Sequence, residues 1–169
     1  MPTQDVLLEL LQSFPPEIAT ILLAALPVME LRGALPLALV VYRLPVVTAL
    51  VLSVIGNMLP VYFLLVFFER FSVWIRRHSA LADSALQWLF ARTRRKLDGS
   101  VQKYGYWALA LFVAVPLPAT GAWSGALAAF VFGLPKRQSF YAILVGVCLA
   151  AIIVTIATLG TTFTVRAFL

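Results

Sequence analysis

Most of this chain falls into four apolar runs, and two of them are broken near the middle by proline and glycine. Glu17 to Tyr42 is interrupted at Pro27, Glu30, Arg32, Gly33 and Pro36. Tyr104 to Leu134 carries Pro116, Pro118, Gly121, Gly125 and Gly133. Pro45 to Phe68 and Gln138 to Val165 are the cleaner runs, and a basic stretch separates the two pairs. In hydrocarbon a backbone must satisfy its own N–H and C=O groups, which a continuous helix does and a broken one does not. The order interrupted, clean, basic, interrupted, clean therefore constrains the fold more than any other feature.

The membrane setting follows from composition. With 62% hydrophobic residues, 12% charged residues and a mean hydropathy of +0.97, the chain lies outside the range of soluble domains. Each cleaner run is long enough, at about 1.5 Å per residue, to cross about 30 Å of hydrocarbon as a transmembrane helix, over 45–68 and 138–165. In 169 residues there is one membrane domain and no space for an added soluble catalytic domain. Residues 3–14, with Gln4, Asp5, Glu9 and Gln12 against Val6, Leu7, Leu10, Leu11 and Phe14, read as a short interfacial helix; a frayed terminus is the alternative. Asp5 and Glu9 stand where a cleavable signal carries positive charge, so no signal peptide is expected.

Segment 70–103 collects Arg70, Arg76, Arg77, Arg92, Arg94, Arg95, Lys96 and Lys103 around Trp74, Leu81, Trp88, Leu89 and Phe90. It is expected to be a basic amphipathic segment on the cytoplasmic face, drawn to anionic headgroups. Nucleic acid is a poor partner for a cluster held between two membrane segments.

The two halves match at an offset of 89 to 90 residues. Ala25 and Pro27 fall on Ala114 and Pro116; after a one-residue slip, Leu37-Ala38, Leu44-Pro45 and Gly56 fall on Leu127-Ala128, Leu134-Pro135 and Gly146. If each interrupted run is a re-entrant hairpin (17–43 and 104–134) that leaves on the side it entered, ten Lys or Arg residues share one face and only Arg43 and Arg166 lie opposite. If both runs crossed, the division would be nine to three. The positive-inside rule favours the hairpins with the rich face cytoplasmic. The expected fold is thus all-α and integral to the membrane, an inverted repeat of re-entrant helical hairpin plus transmembrane helix, the symmetry of many secondary transporters.

Such hairpin tips are expected to face one another near the midplane. Glu30, Arg32 and Gly33 would come from the first, and Thr120, Gly121 and Ser124 from the second, with half-helix ends suited to an ion or headgroup. Glu30 is the candidate proton carrier and Arg32 a partner for Glu30 or a phosphate. A fixed Glu30–Arg32 pair that merely closes the tip is the structural alternative, and tight helix packing is the alternative at the second tip. Asn57, mid-span beside Gly56, is a candidate ligand or a helix-to-helix hydrogen bond. Thr155, Thr158, Thr161 and Thr162 are expected to bond back to their own helix. Cys148 and His78 are each the sole residue of their type, and no phosphate loop, metal-ligand spacing or Ser-His-Asp set is present. No metal, cofactor or enzyme activity is expected.

Glu30-Leu-Arg-Gly-Ala-Leu-Pro36, and Lys103-Tyr-Gly-Tyr-Trp107 running to Pro116-Leu-Pro-Ala-Thr-Gly-Ala-Trp-Ser-Gly-Ala-Leu-Ala-Ala129, resemble the small multidrug export protein family over about residues 20 to 160. That family is grouped with the DedA proteins and the VTT-domain (SNARE-associated Golgi protein) superfamily, for which two facing re-entrant hairpins have been proposed. Ala119 departs from the pattern, where glycine is expected. The resemblance implies a multi-pass protein of the prokaryotic plasma (inner) membrane that moves a lipid or small amphipathic compound.

The leading expectation is a secondary transporter or lipid translocase acting on a phospholipid-like or amphipathic substrate, coupled to a proton or sodium ion. A proton-coupled small multidrug exporter is the alternative. A non-transporting scaffold that recruits partners or anionic lipid is the rival from another class. Substrate identity and homo-oligomerisation are left open by the sequence.

Overall fold

A computed structural model describes residues 14–78, 84, 100–116 and 120–168. The expected interfacial helix at 3–14 and most of the basic segment 70–103 lie outside the described residues, as do 117–119 of the second tip. The described residues are helical apart from short connections. They form α1 (Pro16–Ala25), α2 (Glu30–Pro36, continued by a π-helical turn over Leu37–Val41), α3 (Val46–His78), α4 (Ser100–Ala114), α5 (Ala122–Val131) and α6 (Lys136–Phe168).

The α3 and α6 helices carry apolar spans of 26 and 28 residues, Val46–Phe71 and Lys136–Phe163, each able to cross a membrane. Past Phe68 the α3 helix does not stop. It runs on through Arg70, Arg76 and Arg77 to His78, so the first part of the basic segment extends the helix. Val47, Val51, Ile55, Leu59 and Phe63 of α3 are exposed at roughly helical spacing, as are Val145, Leu149, Ile152, Ile156 and Phe163 of α6. Apolar stripes of this size are liabilities in water and the ordinary surface of a helix in lipid.

The chain divides into two compact units. The first comprises the chain up to Met58 together with Cys148 onward. Its α1 and α2 pack on each other, with Leu23, Ala24 and Ala34 at the centre and Met29, Leu37 and Tyr42 around them. Against α1 lies Gly56 of α3: a Cβ there would sit 2.4 Å from the Ile21 carbonyl oxygen and 2.9 Å from the Ala24 methyl.

The second unit is Leu59–Val147. Its α4 and α5 pack on each other, and Gly146 of α6 lies against α4, where a Cβ would meet the Ala110 oxygen at 2.5 Å and the Val113 Cβ at 2.7 Å. Phe68 stacks on Phe130, Tyr62 meets Phe140 edge to face, and Lys136 Nζ donates to Glu69 Oε2 at 2.7 Å.

Local geometry recurs along the chain. Ile21, Ala24 and Ala25 correspond to Ala110, Val113 and Ala114 at an offset of 89. The helices α3 and α6, each of 33 residues, correspond at 90. Between them, burial from Glu30 to Ala38 matches that from Gly121 to Ala129 at an offset of 91. Ala38 is thus equivalent to Ala129, one residue from the Ala128 that sequence matching assigns it. The difference is taken up by the π-helical turn, which accommodates one extra residue in a helix. After it, Leu44 N–H reaches back six residues to Ala38, whereas Leu134 N–H reaches back five to Ala129. Both segments then turn through a positive φ, 53° at Arg43 and 64° at Gly133, before Pro45 and Pro135 restart the chain as helix.

Three outcomes are expected. Gly56→Val and Gly146→Val should each lower the unfolding midpoint in detergent, losing about 1–3 kcal/mol or more because backbone stands in the way. Gly160→Ala, whose added Cβ would meet no atom of another segment within 4 Å, should leave it unchanged or raised. Arg43→Gly should raise stability by about 1 kcal/mol by relieving a left-handed conformation that the second half assigns to glycine.

Candidate functional site

The first tip is a four-residue turn between α1 and α2. Pro27 ends one helix, and the chain re-enters the next at Glu30, whose N–H donates to the Leu26 carbonyl at 2.8 Å. To make that turn Glu30 takes φ 48°, a left-handed conformation costly for a residue with a Cβ. The same side chain is buried, with 8% of its surface exposed. Arg32, half-buried two residues on, lies within electrostatic reach of Glu30. Gly33 packs on Met29, whose Sδ would stand 2.8 Å from an added Cβ. Pro36 lies within α2 and has no N–H, which deprives the Arg32 carbonyl of its helical donor. A buried acid and a cation are thereby gathered within one short segment.

The second tip is built differently. Thr120 Oγ1 donates to the Val115 carbonyl at 2.8 Å and ties the two ends of the tip together. Gly121 sits at φ 157°, ψ −167°, a region essentially confined to glycine, and precedes α5 without a side-chain cap. Ser124 Oγ donates back to the Gly121 carbonyl at 3.2 Å. Both hydroxyl protons are thus engaged in the local backbone. By burial register Gly121 stands where the first tip has Glu30, but its backbone is nearly extended where that of Glu30 is left-handed.

Of the residues expected to form the site, Glu30, Arg32, Gly33 and Asn57 belong to the first unit, and Thr120, Gly121 and Ser124 to the second. Asn57 is buried on α3 at 3% exposure, and its Oδ1 has no hydrogen-bond partner. Ser53, one turn earlier, is fully buried and its Oγ is likewise without a partner. Sequence reasoning passed over Ser53. The signal was available in the repeat, because its counterpart at an offset of 90 is Ile143. Thr155 and Thr158 donate to the carbonyls four residues back, and Thr161 and Thr162 to those three and four back, as their spacing suggested.

The second unit also contains an apolar cavity of about 470 Å³ lined by α4 and α5, among them Tyr104, Ala108, Leu109, Phe112, Ala128 and Phe132. Its size is in the range of sites for small organic ligands, and its lining provides almost wholly apolar contact.

No curated protein and no solved structure matches the chain. A family model described as "Putative small multi-drug export protein" matches residues 30–153, from the buried Glu30 through α3 and into the first half of α6. With most of its length covered by that match, and with two helices able to span a bilayer, the chain is a membrane protein that belongs to the putative small multi-drug export protein family.

Proposed function

We propose that this protein exports small amphipathic compounds across a prokaryotic inner membrane, using Glu30 as the titratable group of a proton-coupled step and Arg32 as its counter-charge. The observation that carries this reading is the carboxylate of Glu30 itself, buried and held in a left-handed conformation where the equivalent backbone position of the second tip is glycine. Strain and burial together oppose a glutamate there, and ionisable groups kept inside a membrane domain mark transport pathways. The apolar cavity of the second unit supports a substrate with an oily body. The family description favours export of small compounds over lipid translocation. Lipid movement then becomes the competing outcome of the same assay.

The membrane arrangement that serves this function is a pair of re-entrant hairpins. In the second unit the Tyr106 hydroxyl donates to Gln138 Oε1, and Lys136 pairs with Glu69. Three helix segments thus have ends at one level: the end of the α3 span, the first turns of α4 and the start of α6. Between 106 and 138 the chain goes out and returns. The arms are also short, with 15 and 10 residues spanning about 22 Å and 15 Å, less than about 30 Å of hydrocarbon. The first hairpin, α1 with α2 and its π turn, is similarly short. In this reading α3 is the one crossing between the hairpins along the chain, the parity that an inverted repeat requires.

Reconstitution tests the function. Wild-type protein in proteoliposomes should extrude a lipophilic dye along a pH gradient, and Glu30→Gln should fold yet lose that transport at least tenfold, since an amide cannot titrate in the working range. If the pair is only structural, Glu30→Gln will instead lower thermal stability by leaving a buried cation unpaired, and Glu30→Gln with Arg32→Gln will restore it. A stable Glu30→Gln protein that transports at the wild-type rate would refute the assignment, and flipping of labelled phospholipid without dye efflux would favour lipid translocation. For topology, Lys136→Cys in a Cys148→Ala background should react with an impermeant maleimide only after cells are opened. Labelling in intact cells would refute the hairpin arrangement.

A further inference from the structure

Ser53 and Asn57 are buried one helical turn apart on α3, and Ser53 Oγ and Asn57 Oδ1 both lack a hydrogen-bond partner. Unsatisfied buried polar atoms are costly, and they demand an explanation. Packing does not supply one. The equivalent positions of α6, at the same offset that relates Gly56 to Gly146, are Ile143 and Val147, which are equally buried and wholly apolar. The fold therefore accepts aliphatic side chains at this place in a helix and carries polar ones in the first half alone.

A third oxygen joins them. Pro60 lies inside α3 and has no N–H, so the carbonyl of Gly56 loses the donor that a helix would give it. A hydroxyl, an amide carbonyl and a backbone carbonyl are thus presented by Ser53, Asn57 and Gly56 within little more than one turn. All three are neutral acceptors. Backbone carbonyls released from helices together with such side chains are the donors that transporters use for sodium, whereas a divalent ion would require carboxylates.

We propose that Ser53, Gly56 and Asn57 form a binding site for a small monovalent cation, sodium, in the first half of the protein. The site adds a second cation to the transport reading, beside the proton assigned to Glu30, and rests on that reading for its role alone. Its test is binding, which remains measurable if the protein transports nothing.

The experiment follows thermal unfolding of the full-length purified protein in detergent. Sodium chloride is titrated against N-methyl-D-glucamine chloride at constant ionic strength. Wild-type protein should show a saturable rise in midpoint with sodium, as expected for a ligand that binds only the folded state. Ser53→Ala combined with Asn57→Val should abolish the rise while matching or exceeding the wild-type midpoint without sodium, because two unsatisfied groups have been removed. Asn57→Asp, which keeps an oxygen ligand and adds charge, should retain or enlarge it. Should the double variant fail to fold, Ser53→Ala alone must weaken the sodium response. Equal wild-type midpoints in the two salts would overturn the site and leave ordered water as the partner of these groups. A sodium response that survives in the double variant, or in Ser53→Ala undiminished where the double variant does not fold, would also overturn it, by placing the ion elsewhere.

Discussion

The close approach of backbone to backbone at Gly56 and Gly146 underlies the rest of this structure. Between helices in lipid there is no hydrophobic drive of the kind that assembles a soluble core, and association depends on contact at short range. At each glycine a carbonyl oxygen of a hairpin helix comes so near that an added Cβ would stand 2.4–2.5 Å from it. One crossing holds α1 to α3 and the other α4 to α6. Alanines buried around them, Ala24 and Ala34 in the first unit and Ala126 and Ala129 in the second, keep the arms of each hairpin thin.

Given those crossings, the two halves can differ where chemistry requires. The long helices and the turns before them keep one register, down to the positive φ at Arg43 and Gly133. The tips diverge. The second closes with glycine and with hydroxyls that bond to nearby carbonyls, while the first closes with a strained, buried glutamate and an arginine. Further along, Ser53 and Asn57 stand where the second half has Ile143 and Val147. The first half thus holds the polar groups that its own scaffold does not need, and the second shows what the scaffold looks like without them. That contrast separates residues that packing explains from residues that it does not, in a chain whose composition is otherwise nearly uniform.

Much of this could be read from residue order. Apolar runs interrupted by proline and glycine predict broken helices, and clean ones predict spans, because backbone hydrogen bonding in an apolar medium permits few other forms. Glu30, Arg32 and Asn57 stood out as polar residues in apolar surroundings. The register between the halves was legible only in part. Matching letters placed Ala38 on Ala128, since composition barely distinguishes neighbouring Ala and Leu positions. Burial placed it on Ala129, with a π-helical turn absorbing the difference.

Membrane residence, the sequence of broken and unbroken helices, and the positions of the charges were determined by the sequence alone, because each depends on the local cost of exposing backbone or charge to hydrocarbon. Tertiary structure decided which of those residues are strained, satisfied or orphaned. The left-handed turn at Glu30, the use of Thr120 and Ser124 to close their own tip, and the unpartnered oxygens of Ser53 and Asn57 depend on where neighbouring helices stop, turn and press together. A hydrogen bond needs a partner at about 3 Å in the right direction, and no residue order specifies that before the helices have packed.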